Sequence, residues 1–552
     1  MSNNHSTKFV PLIIAISLIV GLIFGSFFAN HFTGNRLSII NTSSNKLNDL
    51  LHIIDDQYVD KINISNLVEK AMPQILSELD PHSSYVSAKD VENEMQDLKG
   101  SFSGIGVVFT IYNDTARIVR VIKGGPSEEV GLQAGDKIVS VDGKNFVGEK
   151  LTNEYAMKHL KGPKSSKVVV GIKRIGEPKM LSYTITRGDV PVKSITATYM
   201  LDNTTGYIQI SSFGDTTYPE LLVALAKLNH EGFEKLIIDL RGNRGGFMAP
   251  AIRMANEFLP KDRLIVYTQG RKSPRQEYSS DGRGSYQNIP LIVLVDETSA
   301  SASEIFSAAI QDNDRGTIVG RRTFGKGLVQ EPIQFPDGSL LRLTIARYYS
   351  ASGRCLQKPY VQGEGNDYQM DLVKRAQNGE YISQDSIHFK GKKYKTRLGR
   401  IVYSEGGVMP DYFVPEDTTG VTSYYIQAMN QGLLAKYSFI YVDSNRETLH
   451  KHENWEETVK YLKKSDLPYK FAAYAAKNGL KQRNNLLRKS YDLIQSTLIT
   501  LILEDYYDPE TRIMYNNLTD PNIKQANKLF AEEKSFPHAP ENPTPAKAKK
   551  HE

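Results

Sequence analysis

Apolar and polar positions recur along this chain in a series of distinct rhythms, each predicting a different kind of structure. Phe9 to Ala29 (FVPLIIAISLIVGLIFGSFFA) is an uncharged apolar run of about the length that crosses a bilayer. It follows a short polar segment ending in Lys8, and Ala29, Asn30 and His31 fit a signal-peptidase site poorly. The run is therefore expected to be an uncleaved transmembrane signal anchor over 9–29, with residues 1–8 cytoplasmic and the bulk of the chain extracytoplasmic. From 44 to 101 the spacing turns helical. Leu47, Leu50, Leu51, Ile54 and Tyr58 define one helix, and Leu67, Val68, Ala71, Met72, Ile75, Leu76 and Leu79 a second behind a cap at Ser65. The second ends at LDPHSSY, Leu79 to Tyr85, where His82, Ser83 and Ser84 read as a turn with capping hydroxyls.

Between 102 and 189 the period becomes two: short alternating runs separated by glycine-rich turns, with one helical piece from Asn153 to Leu160. From 190 to 417 strand and helix alternate, the sign of a mainly parallel sheet. The predicted strands are Gly206–Ile210, Lys235–Leu240 and Ile292–Val295, and the predicted helices Pro219–Leu228, Ala249–Phe258 and Ser301–Asp312. A segment rich in charge and tyrosine, 358–405, interrupts this region. Residues 418–536 are strongly helical, and Ser490–Leu503 is apolar enough for a core or subunit interface but too short for a second span. The tail, 537–552, is proline- and lysine-rich and expected to be disordered.

Composition narrows the field. At 552 residues the chain exceeds one ordinary core, so several domains are expected. A net charge of +6 is small for this length and spread out, which gives no footprint for nucleic acid. The single cysteine, Cys355, excludes an internal disulfide framework and any cysteine-based zinc cluster. No HExxH or similar ligand pattern argues for a metal site.

The densest chemistry lies in Leu291–Gln330, LIVLVDETSASASEIFSAAIQDNDRGTIVGRRTFGKGLVQ. Ser301 with Glu304 satisfies a capping box, so its plain role is a helix N-cap. A helix N-terminus also stabilises negative charge developing nearby, so a cap and a nucleophile are compatible roles. No histidine lies between His230 and His388. Lys326, between Gly325 and Gly327, is the alternative base. A free lysine titrates at about 10.4, so it takes a proton at neutral pH only if burial lowers that value, at about 1.4 kcal/mol per unit. Phe324, Leu328 and Val329 could supply such a pocket, whereas a solvated turn lysine would remain charged. GRRTFGK, Gly320 to Lys326, also begins a phosphate loop, but Gly327 replaces the hydroxyl residue and LVQEPIQF reads as strand where a helix should open. Two glycine turns complete the set. RGNRGG, Arg241 to Gly246, follows a strand and is either a tight turn or a close backbone approach to a ligand. Gly104, Ile105, Gly106 and Val107 can aim consecutive N–H groups at a carboxylate beside a strand edge.

GGPSEEVGLQAGDKIVSVDG, Gly124 to Gly143, resembles the signature of PDZ domains, which bind C-terminal tails of polypeptides. With DLRGNRGG (Asp239–Gly246), SASASE, FGKGLVQ, LDPHSSY, the SSF of Ser211–Phe213, ARYYSASGR (Ala346–Arg354) and GVMPDYFVP (Gly407–Pro415), the chain resembles the carboxyl-terminal processing peptidases, the tail-specific serine proteases of family S41. The resemblance implies an α/β fold: a ClpP/crotonase-like protease core (190–417) with an inserted β-rich PDZ domain (102–189), an N-terminal helical segment (44–101) and a C-terminal helical extension (418–536). It also implies Ser301 as nucleophile, Lys326 at the family's spacing as general base, Gln330 orienting the lysine, and the backbone N–H groups of Gly246 and Ala302 as oxyanion hole. The substrate tail would bind at Gly104, Ile105, Gly106 and Val107. Expected partners are protein substrates held by their C-termini and a membrane through the N-terminal anchor, with room for a homo-oligomer or an adaptor protein. The anchor would place the catalytic domain on the periplasmic side of the inner membrane. The alternative is a catalytically silent, membrane-anchored PDZ scaffold that binds protein C-termini.

Overall fold

The computed structural model describes residues 42–91, 94, 99–387 and 391–538. The proposed anchor, 9–29, and the tail beyond 538 lie outside the described residues. Among those described, no helix is long and apolar enough to cross a membrane.

The chain divides into two units, up to Leu76 and from Ser77 onward. The first contains the helices Thr42–Gln57 and Ile64–Ser77, at the places where the three- and four-residue spacing predicts them, and the first helix presents Leu47, Leu50 and Ile53 to solvent.

In the second unit the strand rhythm of 102–189 produces an antiparallel sheet of Val107–Tyr112, Thr115–Val121, Lys137–Val141, Lys167–Lys173 and Leu181–Thr186, with the short strand Lys144–Asn145 paired to the third. It closes over Ile118, Ile138, Val170, Ile172 and Ile185 together with Ala156 and Leu160 of the helix Asn153–Leu160. Val107–Tyr112 is an edge strand and follows directly on Gly104–Val107. A two-strand neck, Ser101–Gly104 with Gly188–Pro191, carries the chain into and out of this module.

The core is built from β1 (Ile195–Met200), β2 (Thr205–Ile210), α1 (Thr217–Glu231), β3 (Lys235–Asp239), α2 (Met248–Phe258), β4 (Leu264–Gln269), β5 (Gln276–Ser279), β6 (Leu291–Val295), α3 (Ala302–Asp312), β7 (Thr317–Gly320), β8 (Leu328–Gln334), β9 (Leu340–Ser350) and β10 (Tyr412–Phe413). The main sheet has the order β1-β2-β3-β6-β7-β10, all parallel except β1. A second, antiparallel sheet joins Ser84–Val86, β9, β4 and β5, with β8 also paired to β9.

The main sheet is apolar on both faces, as a parallel sheet covered on both sides must be. Leu236 and Ile238 of β3, with Leu291, Val293 and Val295 of β6, point to α1, α2 and α3. The alternate residues Tyr207, Ile237, Ile292, Leu294 and Val319 point the other way and are covered by Ile513, Ile523, Ala526, Leu529 and Phe530. These belong to α4 (Pro509–Asn517) and α5 (Pro521–Ala531), so the last helices of the chain are a layer of the protease core. The helical stretch expected as one domain over 418–536 thus has two packing partners. Its first part, from Ser423–Asn430 to Tyr491–Tyr506, forms a separate bundle around Leu434, Phe471, Ile494, Leu498 and Ile502. That bundle docks on the β-rich module: Arg117 pairs with Asp443 at 2.7 Å, and Arg120 donates to the Glu504 carbonyl at 3.2 Å.

Candidate active site

Parallel pairing places the C-terminal ends of β3, β6 and β7 side by side, so the turns that follow them converge. These turns are Arg241–Gly246, Asp296–Ser301 and Arg321–Lys326, and they carry most of the residues singled out in the sequence.

Side chains and backbone rivet the first two turns together. The buried Asn243 donates from Nδ2 to the Ile210 carbonyl at 2.9 Å, and its own carbonyl accepts the Ala300 N–H at 3.1 Å and the Ser303 hydroxyl at 2.9 Å. Ser299 Oγ donates to the Leu240 carbonyl at 2.8 Å. Gly245 lies so close to the serine turn that a Cβ there would stand 2.7 Å from Ser301 Cβ and 2.9 Å from the Ala302 nitrogen. At Gly246 a Cβ would meet the Phe213 carbonyl oxygen at 2.2 Å, because Phe213 and Gly246 form an isolated parallel bridge. Both glycines hold positive φ, 95° and 148°. Among the described residues, no bond is made to the N–H of Gly246 or Ala302. Arg241 anchors the far end of its turn, bonded through Nη2 to Asp239 at 2.6 Å and through Nη1 to Asp520 at 2.7 Å. Burial works against its charge, but Asp239 and Asp520 hold the guanidinium well above its ordinary value.

Ser301 precedes α3 with φ 56° and ψ −112°, a left-handed conformation that costs a non-glycine residue about 1–3 kcal/mol and must be held by its surroundings. Two buried groups hold it, and the same two hold Lys326. Glu304, with no exposed surface, accepts the N–H of Ser301 at 2.9 Å and of Lys326 at 2.8 Å on Oε2. On Oε1 it accepts the N–H of Gly325 at 2.7 Å and the hydroxyl of Thr323 at 2.5 Å. Burial raises the Glu304 pKa, and these four donors oppose the rise. On the carbonyl side, the Tyr348 hydroxyl is shared between Ser301 O, at 3.2 Å, and Lys326 O.

Lys326 is half-buried, and its Nζ donates to Gln330 Oε1 at 3.2 Å. No hydrogen bond joins Ser301 Oγ to Lys326 Nζ among the described residues. Burial lowers the lysine pKa, Arg342 pushes the same way, and Glu304 and Asp80 oppose. Gln330 Nε2 in turn donates to the His82 carbonyl. The LDPHSSY turn therefore reaches the site through its backbone, while its hydroxyl Ser83 Oγ bonds to Asp80 Oδ2 at 2.5 Å. Asp80 also accepts the N–H groups of His82 and Ser83, each at 2.9 Å, and Thr344 Oγ1 of β9 at 3.0 Å, which sews the turn to the sheet beside β8. The His82 ring is pushed down to about 4 by burial and then by the Lys326 charge.

Glu304, Tyr348 and the His82 carbonyl are the members that sequence reasoning missed. Glu304 had a signal, the capping box, but the box accounts for only one of its four bonds. A cavity of about 340 Å³, lined by residues including Phe324, Lys358 and Tyr368, lies on the flank of the lysine turn. Neither Ser301 nor Lys326 lines it.

Of the tail-binding residues, Gly104 ends the neck strand and Val107 opens the edge strand, with Ile105 buried between them. The carbonyls of Ile105 and Gly106 face inward, accepting the N–H of Ser127 and of Ile122, each at 2.9 Å.

Comparison with known proteins places these features in a lineage. Residues 204–365 match the model of peptidase family S41 and residues 117–174 that of a PDZ domain. Residues 424–508 match DUF8443, a family of unknown function. The chain is 33% identical over 328 residues to the carboxy-terminal processing protease CtpA of Bacillus subtilis, covering 58% of this chain and 69% of that protein. It is 35% identical over 317 residues to a carboxy-terminal-processing protease of Bartonella bacilliformis, covering 56% and 72%. Among solved structures it is similar to a photosystem II D1 C-terminal processing protease at 24% identity and a TM-score of 0.35, covering 69% of this chain and 95% of that one.

Proposed function

Because the chain belongs to peptidase family S41 and is a serine-type protease with a PDZ domain, we propose that it captures protein substrates by their C-terminal tails and cleaves them with a Ser301–Lys326 pair. In this reading Lys326, neutral in its half-buried site, takes the hydroxyl proton as Ser301 Oγ attacks the scissile carbonyl. Gln330 aims the amine, and the free N–H groups of Gly246 and Ala302 stabilise the oxyanion. Collapse of the tetrahedral intermediate expels the amine, which takes the proton back from Lys326, and water releases the acyl group through the same pair. The observation that carries the reading is the shared clamp: Oε2 of Glu304 holds the amides of Ser301 and Lys326 together, beside the unspent N–H groups of Gly246 and Ala302.

The loop Gly104–Val107 with the edge strand Val107–Tyr112 takes the tail by strand addition. The anchor at 9–29 puts this chemistry on the extracytoplasmic face of the membrane. Family membership displaces the silent-scaffold alternative.

Ser301→Ala and Lys326→Ala are each expected to abolish cleavage of a tailed protein substrate with an unchanged thermal midpoint. A serine-reactive phosphonate is expected to label the parent and not Ser301→Ala. Cleavage that persists in both purified variants refutes the pair.

A further inference from the structure

The insertion between β9 and β10 is not an outlying decoration, because it packs on the turn that carries Lys326. Arg375, buried in the helix Asp371–Gln377, donates to the carbonyls of Arg322 at 2.6 Å and Thr323 at 3.0 Å. Lys358 N–H donates to the Gly325 carbonyl at 2.9 Å, and its ammonium lies between the rings of Phe324 and Tyr368, 3.9 and 4.0 Å from their centroids.

Tyr368, in the short helix Gly365–Gln369, stands where two hydrogen-bonded chains to the lysine meet. On one side Gln357 Nε2 donates to the Tyr368 hydroxyl at 3.3 Å, while Gln357 Oε1 accepts the N–H of Gly327 at 2.8 Å, next to the lysine. On the other the hydroxyl lies 2.9 Å from His82 Nε2. Gln357 donates to the phenolic oxygen, which leaves the phenolic proton available to a neutral His82 ring at Nε2. The His82 carbonyl then holds Gln330, and Gln330 holds Lys326 Nζ. The Tyr368 ring also meets His82 edge to face at 5.1 Å between centroids.

We propose that Tyr368 is a positioning residue for the base, through which the insertion keeps Gln330 aimed and water away from Lys326. The inference rests on the serine–lysine reading and assigns to the 358–405 segment a part in it. The charged and titratable groups facing Lys326 are Arg342 on β9, Glu304 on α3, and Asp80 and His82 on the LDPHSSY turn. Of these, Tyr368→Phe, which keeps the ring and removes only the hydroxyl, touches His82 alone, by taking away the bond at its Nε2. Loss of that hydroxyl frees His82 to turn and Gln330 to release the amine. A better hydrated lysine holds its proton to higher pH.

The test is the pH profile of kcat/KM of the full chain on an untailed, internally quenched peptide, measured for the parent, Tyr368→Phe, Tyr381→Phe and Ser301→Ala. Tyr381, whose hydroxyl donates to the Leu372 carbonyl at 2.9 Å within the insertion, controls for loss of a tyrosine hydroxyl there. The rising limb of Tyr368→Phe is expected to move up by half to one pH unit, a loss of about three- to tenfold below the midpoint that closes at high pH. Tyr381→Phe is expected to follow the parent. An unmoved midpoint in Tyr368→Phe, whether activity is parental or uniformly lower, overturns the inference. Activity in Ser301→Ala refutes the serine–lysine reading itself, and the inference with it.

Discussion

Glu304→Gln is the sharpest probe of how the site is held. The substitution keeps the shape of the side chain and replaces one carboxylate oxygen by an NH2 group. The outcome depends on which oxygen is lost. Oε2 faces two backbone N–H groups, those of Ser301 and Lys326, and neither can turn away. Oε1 faces the Gly325 N–H and the Thr323 hydroxyl. A hydroxyl can accept as well as donate, and Thr323, which already accepts the Val408 N–H at 2.7 Å, has room for a second donor, so the amide nitrogen goes to that side, opposing the Gly325 N–H and turning the Thr323 proton away. One charge-assisted bond is lost, at about 1.5–3 kcal/mol, and a buried N–H left without a partner adds about 1–3 kcal/mol. Burying an uncharged group returns part of this, since burial already disfavours the Glu304 anion. The net expectation is a destabilisation of about 2–4 kcal/mol. The tie between Ser301 and Lys326 survives, so kcat on a short peptide should fall by no more than about tenfold. Thr323→Val removes the hydroxyl that accommodates the amide. The double variant should therefore be less stable than the two single losses add up to, by about 1 kcal/mol or more. Denaturant unfolding of the four proteins, with peptide cleavage alongside, provides the cycle. A Glu304→Gln protein as stable as the parent, or strict additivity with Thr323→Val, refutes the account of Glu304 as the clamp.

Gly245→Ala places a methyl group 2.6 Å from the Ala300 carbonyl oxygen at a φ of +95°, so strain and overlap together should cost about 2–5 kcal/mol and peptide cleavage should fall at least a hundredfold. Gly232→Ala, at φ +83° with no atom within 4 Å, should cost only about 1 kcal/mol and leave cleavage intact, and equal effects of the two would contradict the close approach of the turns. His82, held at about 4 against an ordinary 6.5, leaves the unfolded chain binding the proton first, so stability is unaffected above about pH 6.5 and is lost as pH falls toward 4. Its share of that loss is about 2 kcal/mol at pH 5, and His82→Gln should remove it, which unfolding curves at pH 7 and pH 5 will measure.

The strand and helix rhythm of 190–417 was legible where the elements are apolar and patterned, as in Lys235–Asp239, Leu291–Val295 and Ala302–Asp312, whereas the two-residue β10 and the four-residue β5 leave no such signal, and the three turns announced themselves through glycine and serine. Less visible was everything that depends on distance along the chain. Gln330 meets the His82 carbonyl across 248 positions, and a backbone oxygen carries no residue-type signal at all. Glu304 looked local because a capping box explains it fully at the level of sequence. The role of α4 and α5 did have a trace. Ile237, Ile292 and Leu294 are apolar on the side of the sheet that α1, α2 and α3 do not cover, so another layer had to exist. What the pattern alone could not say is that the layer comes from the far end of the chain, since hydrophobic faces specify that they must be covered and not by which segment.

That layer has a consequence for how the protein is made. Synthesis proceeds from the N-terminus, so β1, β2, β3, β6 and β7 emerge from the ribosome well before Pro509–Ala531. Until then one side of the sheet is bare, and Arg241 at the head of its glycine turn lacks the Asp520 carboxylate. A chain terminated before Pro509 is thus left with an apolar sheet face uncovered and with Arg241 held by Asp239 alone.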